Sequence, residues 1–548
     1  MKKNILSLAV AASATGIASL ASAQMYINTE HTGEALIFPF YSAQNGNDTY
    51  ISIANTTAQT KAVKVRIIEG EDSQETLDFN LYMSPQDHFS FAITADGDGA
   101  LLRTGDSSCT VPAITGDVPF TDLLWVEDDD DDNPLVGTAE GREQVGYIEV
   151  IEMGQIDNDS ATGLDILHAQ TGATKGQPAD CDAVVDLWSV TVDANGDAVP
   201  GDWYTEAGAA EAGEGGNAAL VSQGVTDFEA AVWNGGGLYG VATVINVAEG
   251  TAFGYDAVAI EGLVAAGSAS SVLHYPPGDT RPDLADDALA DTAIVSIDGT
   301  QTTYTNDALG AGNVNPVSAL FMTSSISNDY VIDDDINGLT DWIVTMPTKG
   351  LHLGLTYSQP FSNDLDGSVS GESVLTAAQV AQGCQAVSMV GYDREEQVQA
   401  EGEADPDSPV APPFSPSTRP EEEDGVDPTD WLLCGEANVV HFGASSATNT
   451  SNASDAGFTL ASAQAFVTGW AAGWAELDLT EAGLGNDVDQ ARVLPGTLTG
   501  NADLAAGSEL AGLPVTGFAV VEYTNGTDAG AVRNYASAWE HKTNAAGS

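Results

Sequence analysis

Between residues 35 and 94, apolar side chains recur at every second position in short runs, and that period of two dictates strands rather than helices. Leu77, Phe79, Leu81 and Met83 share one face of such a run, as do Phe89, Phe91 and Ile93 of the next. Upstream, Val63, Val65 and Ile67 alternate with Lys64 and Arg66, and two further runs cover Ala35 to Tyr41 and Thr49 to Asn55. Gly, Asn, Asp, Ser and Pro turns separate these five runs by about a dozen residues, a spacing that predicts an antiparallel, Ig-like β-sandwich. Pro39 has no amide donor for a ladder, so Ala35 to Tyr41 reads as an edge strand.

Further strands are expected at Gln144 to Met153, Gly237 to Val247, Thr251 to Ile260, Tyr330 to Ile332, Asp341 to Met346 and Leu351 to Tyr357. Others follow at Ala437 to Phe442, Ala465 to Leu479 and Pro514 to Tyr523. Short helical signals lie at Thr226 to Trp233, Pro282 to Ala290 and Ser373 to Ala381. The chain therefore reads as mainly β with long acidic loop insertions. One sandwich domain is expected over 24–275 with an insert at about 105–235, and a second β-rich region over 276–548 with a Pro-rich insert at about 385–433. No fixed-period repeat stands out.

Residues 1–23 combine Lys2 and Lys3, an apolar run from Ile5 to Leu20 and the small residues Ala21-Ser22-Ala23, the plan of a secretory signal peptide cut before Gln24. No later stretch approaches ~18 uninterrupted apolar residues, so no transmembrane helix is expected. The full chain carries 81 acidic and 15 basic residues, a formal net charge of -66. Such a chain repels phosphate backbones, which excludes nucleic acid as a partner, and it repels anionic headgroups. With 43% hydrophobic residues it still has the material for a core. The self-repulsion calls for salt, bound cations or both.

Several blocks resemble a family of secreted surface proteins found in proteobacteria. They include Leu77-Asp78-Phe79-Asn80-Leu81-Tyr82-Met83-Ser84-Pro85, Thr340-Asp341-Trp342-Ile343-Val344-Thr345-Met346-Pro347-Thr348-Lys349 and Tyr392-Asp393-Arg394-Glu395-Glu396. The blocks span nearly the whole chain after residue 23, so the resemblance is to an architecture. It implies an exported β protein and transfers no catalytic residues.

Cys109, Cys181, Cys384 and Cys434 form an even set in an exported chain, which predicts two disulfides. Sequential pairing, Cys109 with Cys181 and Cys384 with Cys434, would close off two irregular acidic stretches. A zinc site competes with that reading but lacks CxxC spacing. The GxGxxG spacing at 235–240 runs into a strand rather than a helix and so does not read as a dinucleotide loop. Seven scattered histidines form no HExxH motif, and Gly105-Asp106-Ser107-Ser108 does not continue as a nucleophile loop. No catalytic constellation emerges.

Calcium is the better chemical reading, because Ca²⁺ takes six to eight oxygens from alternating Asp and Asn side chains on tight loops. Asp333, Asp335 and Asn337 alternate ahead of Gly338, and Asp341 falls at position nine, although Val344 stands where a bidentate acid belongs. Asp193, Asn195 and Asp197 repeat the alternation around Gly196. The expected function is thus an exported surface-layer or extracellular-matrix component that self-associates, or joins other cell-surface components, through divalent cations. The alternative is an adhesin binding glycans through Trp203, Tyr204, Trp233, Tyr239, Trp470 or Trp474. A secreted hydrolase is the third reading.

Overall fold

The alternating runs form an antiparallel β-sandwich. The computed structural model describes residues 24–71, 73–121, 141–192, 198–203, 227–230, 232–306, 314–332, 336–352, 359–361, 385–394, 398–400, 415–416, 431–433, 435–442, 446–450, 460–461, 471–480, 492–528 and 531–547. Strands of the first region are β1 (Tyr26–Ile27), β2 (Ala35–Ser42), β3 (Asn47–Asn55), β4 (Thr60–Glu69), β5 (Glu75–Met83), β6 (His88–Asp96), β7 (Gly99–Arg103), β8 (Cys109–Val111), β9 (Asp117–Pro119), β10 (Val145–Ile156), β11 (Val190–Val192), β12 (Ala198–Pro200), β13 (Leu238–Asn246), β14 (Thr251–Asp256) and β15 (Val258–Glu261). A seven-stranded sheet runs β1-β15-β2-β10-β4-β5-β8, and a six-stranded sheet runs β14-β13-β3-β6-β7-β9. The faces that meet carry the alternating apolar set, with Phe38, Ile53, Val65, Phe79, Phe91, Ile148 and Val150 buried in one core. Each such side chain contributes about 1.5–3 kcal/mol by leaving water.

The expectations for β2, for residues 226–233 and for residues 282–290 need correction. β2 is a central strand between β15 and β10, not an edge. Pro39 is tolerated there because β15 reaches only Ile37, while the β10 register slips between Gly146 and Ile148 opposite it. The described residues of 226–233 form bridges, Phe228 to Ile156 and Val232 to Ala269, instead of a helix. Residues 282–290 form successive turns, Asp286 N donating to Asp283 O and Leu289 N to Asp286 O, because Asp283 and Asp286 side chains cap their own backbone.

Lys64 and Arg66, which alternate with the apolar side chains of β4, are buried too, as is every residue of that strand. The far side of the seven-stranded sheet is roofed. Leu263, Leu273, Leu284, Leu289 and Val295 pack with Ala35, Ile37 and Ile151. Beside them, helices Ala161–Ile166 and Cys181–Trp188 bring Ile166, Val184 and Trp188 against Tyr82, Met153 and Trp203. The disulfide between Cys109 and Cys181 ties the second helix to β8, as expected. Cys384 and Cys434 lie outside the described residues.

The second region contains β16 (Thr292–Ile297), β17 (Thr300–Thr305), β18 (Met322–Thr323), β19 (Ser325–Val331), β20 (Gly338–Thr345), β21 (Gln385–Asp393), β22 (Val398–Ala400), β23 (Ser415–Pro416), β24 (Trp431–Leu433), β25 (Ala437–His441), β26 (Leu460–Ala461), β27 (Ala472–Asp478), β28 (Val493–Leu494), β29 (Thr497–Thr499), β30 (Leu510–Ala511), β31 (Leu513–Pro514), β32 (Thr516–Asp528), β33 (Ala531–Glu540), β34 (Lys542–Asn544) and β35 (Ala546–Gly547). The sheet β22-β21-β27-β19-β34 faces the sheet β25-β20-β32-β33 across Ile326, Tyr330, Trp342, Val344, Met389 and Leu477. Leu351 and His352 belong to the short helix Lys349–His352, which corrects the start of the strand expected at 351–357; residues 353–358 and the helix expected at 373–381 lie outside the described residues.

Buried side chains cross between the regions. Phe40, Val145, Val244 and Phe253 share a cluster with Ile343, Val439, Phe518 and Val520. Glu436 N donates to Gly70 O at 2.7 Å, and Thr345 Oγ1 to Pro39 O at 2.6 Å.

Candidate functional site

The residues with the strongest sequence claim on a metal divide three ways. Asp333, Asp335, Asp193, Asn195 and Asp197 lie outside the described residues. Asn337 sits in a turn with φ of 48° and its carbonyl accepts from Thr524 N and Oγ1. Asp341 lies in β20, fully buried. Its Oδ1 faces His441 Nδ1 at 2.8 Å, and its Oδ2 accepts from Ser446 Oγ at 2.7 Å and from Thr448 N and Oγ1, each at 2.8 Å. Four protein contacts thus surround the carboxylate. Burial would raise its pKa, but the His441 charge and these hydrogen bonds outweigh burial and hold it below the ordinary value. Asp341 in turn raises His441 against the opposing effect of burial.

This group is a joint rather than a relay. In a Ser-His-Asp triad the serine hands its proton to the imidazole, whereas Ser446 donates to the carboxylate itself. From Thr448 the network continues into the first region: Asn47 Nδ2 donates to Thr448 O at 2.8 Å, and Thr450 Oγ1 to Ser42 Oγ at 2.8 Å. The Gly105-Asp106-Ser107-Ser108 loop is likewise structural, Ser108 Oγ donating to Asp106 Oδ1 at 2.8 Å. Among the described residues, no group of three or more His, Cys, Asp or Glu side chains is placed to hold a metal ion.

Basic side chains cluster within the fold. Lys61, Lys64, Arg66, Lys349 and Arg492 are buried. Lys61 Nζ meets Glu152 at 2.7 Å; Lys64 meets Asp78; Arg66 meets Glu75 at 2.7 Å and Glu149 on its other side. Arg142, with 8 % of its side chain exposed, meets Glu69 at 3.1 Å. Burial pushes the Glu149 and Glu152 carboxyls up to about 7 despite their basic partners. Parity within each strand places Arg66, Asp78 and Glu149 together, and that signal was present in the sequence; their roof was not, because it comes from residues 263–297.

The aromatic candidates separate clearly. Trp203 is core, 1 % exposed, with Trp188 and His274 edge-on to it and Tyr82 tilted against it. Trp233 donates Nε1–H to Glu34 at 3.0 Å. Tyr204 and Trp470 lie outside the described residues. Tyr239 and Trp474 are exposed, and Trp474 stacks on Tyr392, a partner that no local pattern reveals.

Comparison with protein-family models, curated proteins and solved structures finds no match. The geometry therefore stands alone. No helix among the described residues is long and apolar enough to cross a membrane.

Proposed function

We propose that the chain is an exported structural component of the cell surface, a surface-layer or extracellular-matrix protein whose copies associate through divalent cations held between acidic loops. The burial of Lys61, Lys64, Arg66, Lys349 and Arg492 carries this reading. Inside the fold they face carboxylates such as Glu152, Asp78, Glu149 and Glu436, so few cations remain among the exposed acids. Like surfaces of that kind repel one another, and divalent cations bridging carboxylates convert the repulsion into adhesion. The Cys109–Cys181 disulfide supports an oxidising compartment, and residues 1–23 read as an export signal. The resemblance to secreted surface proteins points the same way.

Washing intact producing cells with EDTA tests the proposal. Release of the protein, followed by calcium-dependent growth in light scattering of the purified material, is the expected outcome. Retention on the cells in EDTA, with a monomer unchanged by calcium, would overturn it.

A further inference from the structure

One outward sheet face of the second region carries a row of residues that the core does not use. Register sets Asp329 of β19, Trp474 of β27 and Tyr392 of β21 directly opposite one another. Residues so placed point to the same side with Cβ atoms ~5 Å apart. The next row along is Ser327, Glu476 and Val390. Ala475 and Leu477, pointing the other way from β27, are fully buried, so this side of the sheet is the outer one.

Trp474 is 41 % exposed although it stands mid-sheet. Its ring lies parallel to that of Tyr392, with centroids 4.2 Å apart and planes 10° from parallel. The stack covers the indole face turned to Tyr392 on β21 and leaves the other on the β19 side. Asp329, directly opposite on β19, stands on that side, and Glu476, two residues along β27, lies in the next row; both are exposed.

We propose that this row binds neutral polysaccharide, with the C–H face of a pyranose ring against the open face of Trp474 and its hydroxyls donating to the carboxylates of Asp329 and Glu476. Three observations select that occupant. An ionised carboxylate only accepts hydrogen bonds, and sugar hydroxyls are matched donors. A uronate, sulfate or phosphate would bring like charge beside two acids on a chain of net charge -66. Lys542, exposed and directly opposite Ser327 in the adjoining row, opposes a lone cationic ligand. A pre-stacked indole also loses little side-chain freedom on binding. The surface is independent of cation-mediated assembly, so either reading stands without the other.

Native electrophoresis of the full chain through gels containing dextran, laminarin, galactomannan or alginate tests the assignment, run with EDTA throughout. Retardation by at least one neutral polysaccharide and none by alginate is expected. Trp474→Ala should weaken that retardation roughly tenfold, Asp329→Asn should weaken it less, and Tyr535→Ala, at an exposed aromatic elsewhere, should leave it unchanged. Thermal melts confirm that each variant is folded. Retardation by none of the neutral polymers, or retardation that survives Trp474→Ala, overturns the proposal. So does binding of poly-lysine, in place of the neutral polymers, that depends on Trp474.

Discussion

Arg66 illustrates how single residues bear on this fold. Burial would lower its pKa, but the charges of Glu149, Glu75 and Asp283 overcome that effect and raise it, so it stays ionised. Arg66→Met strands Glu149, itself 1 % exposed, and should cost about 3–5 kcal/mol in urea unfolding. Replacing Glu149 and Glu75 by apolar residues in the same chain should recover much of that loss. Arg103, paired with Asp117 at 2.8 Å but 57 % exposed, provides the contrast: Arg103→Met should leave the urea midpoint within experimental scatter. At this scale the sequence was partly legible. Asp341 counted as position nine of a calcium loop, yet the spacing that suggested a ligand already lay inside β20, where the strand turns the side chain inward to His441. Trp474 could be singled out as a ring suited to stacking, but Tyr392 is 82 residues away and only pairing of β21 with β27 brings them together.

At the scale of elements, the disulfide spans 72 residues and anchors the helix Cys181–Trp188 against β8. Loop-closure entropy assigns a cross-link of that span about 4 kcal/mol. Cys109→Ala with Cys181→Ala should therefore lower stability by up to about that amount. Hydrogen exchange should rise first in the two helices, since the sandwich core of Phe79, Val65 and Ile148 lies on the other side of the sheet. Strands with clean alternation were readable because the period is intrinsic to the pleat: Thr49 to Asn55, Ala62 to Ile68, Leu77 to Met83 and His88 to Thr94 all lie within observed strands. The place of β2 was not readable. Pro39 correctly signals an interrupted ladder, but a bulge in a distant strand absorbs the interruption as well as an edge would. The helix expected at Pro282 to Ala290 failed for a local reason, as Asp283 and Asp286 favour turns that accept from their own backbone.

Across the whole molecule, charge sets the response to solution conditions. Burial drives the carboxyls of Glu149, Glu152, Glu261 and Glu522 up to about 7. Their unfolded values lie near 4.3, so between these limits the folded state keeps protons that the unfolded state releases. Stability contributed by the protonated forms is present below the unfolded value and lost as pH rises toward 7. Urea midpoints should accordingly fall from pH 5 to pH 7.5, and Glu261→Gln should flatten the slope. Surface repulsion acts in the same direction but is screened by salt. Melting temperature should climb from dilute, metal-free buffer to calcium-rich brine; an unchanged value would remove the electrostatic account. The pairing pattern has a further consequence. β2 must await β10 and β15, more than a hundred residues downstream, and β20 must await β32. A chain made from its N-terminus onward therefore spends a long interval with unsatisfied strand borders. Its own negative charge, by holding unfinished neighbours apart, acts during that interval as a built-in guard against premature clumping.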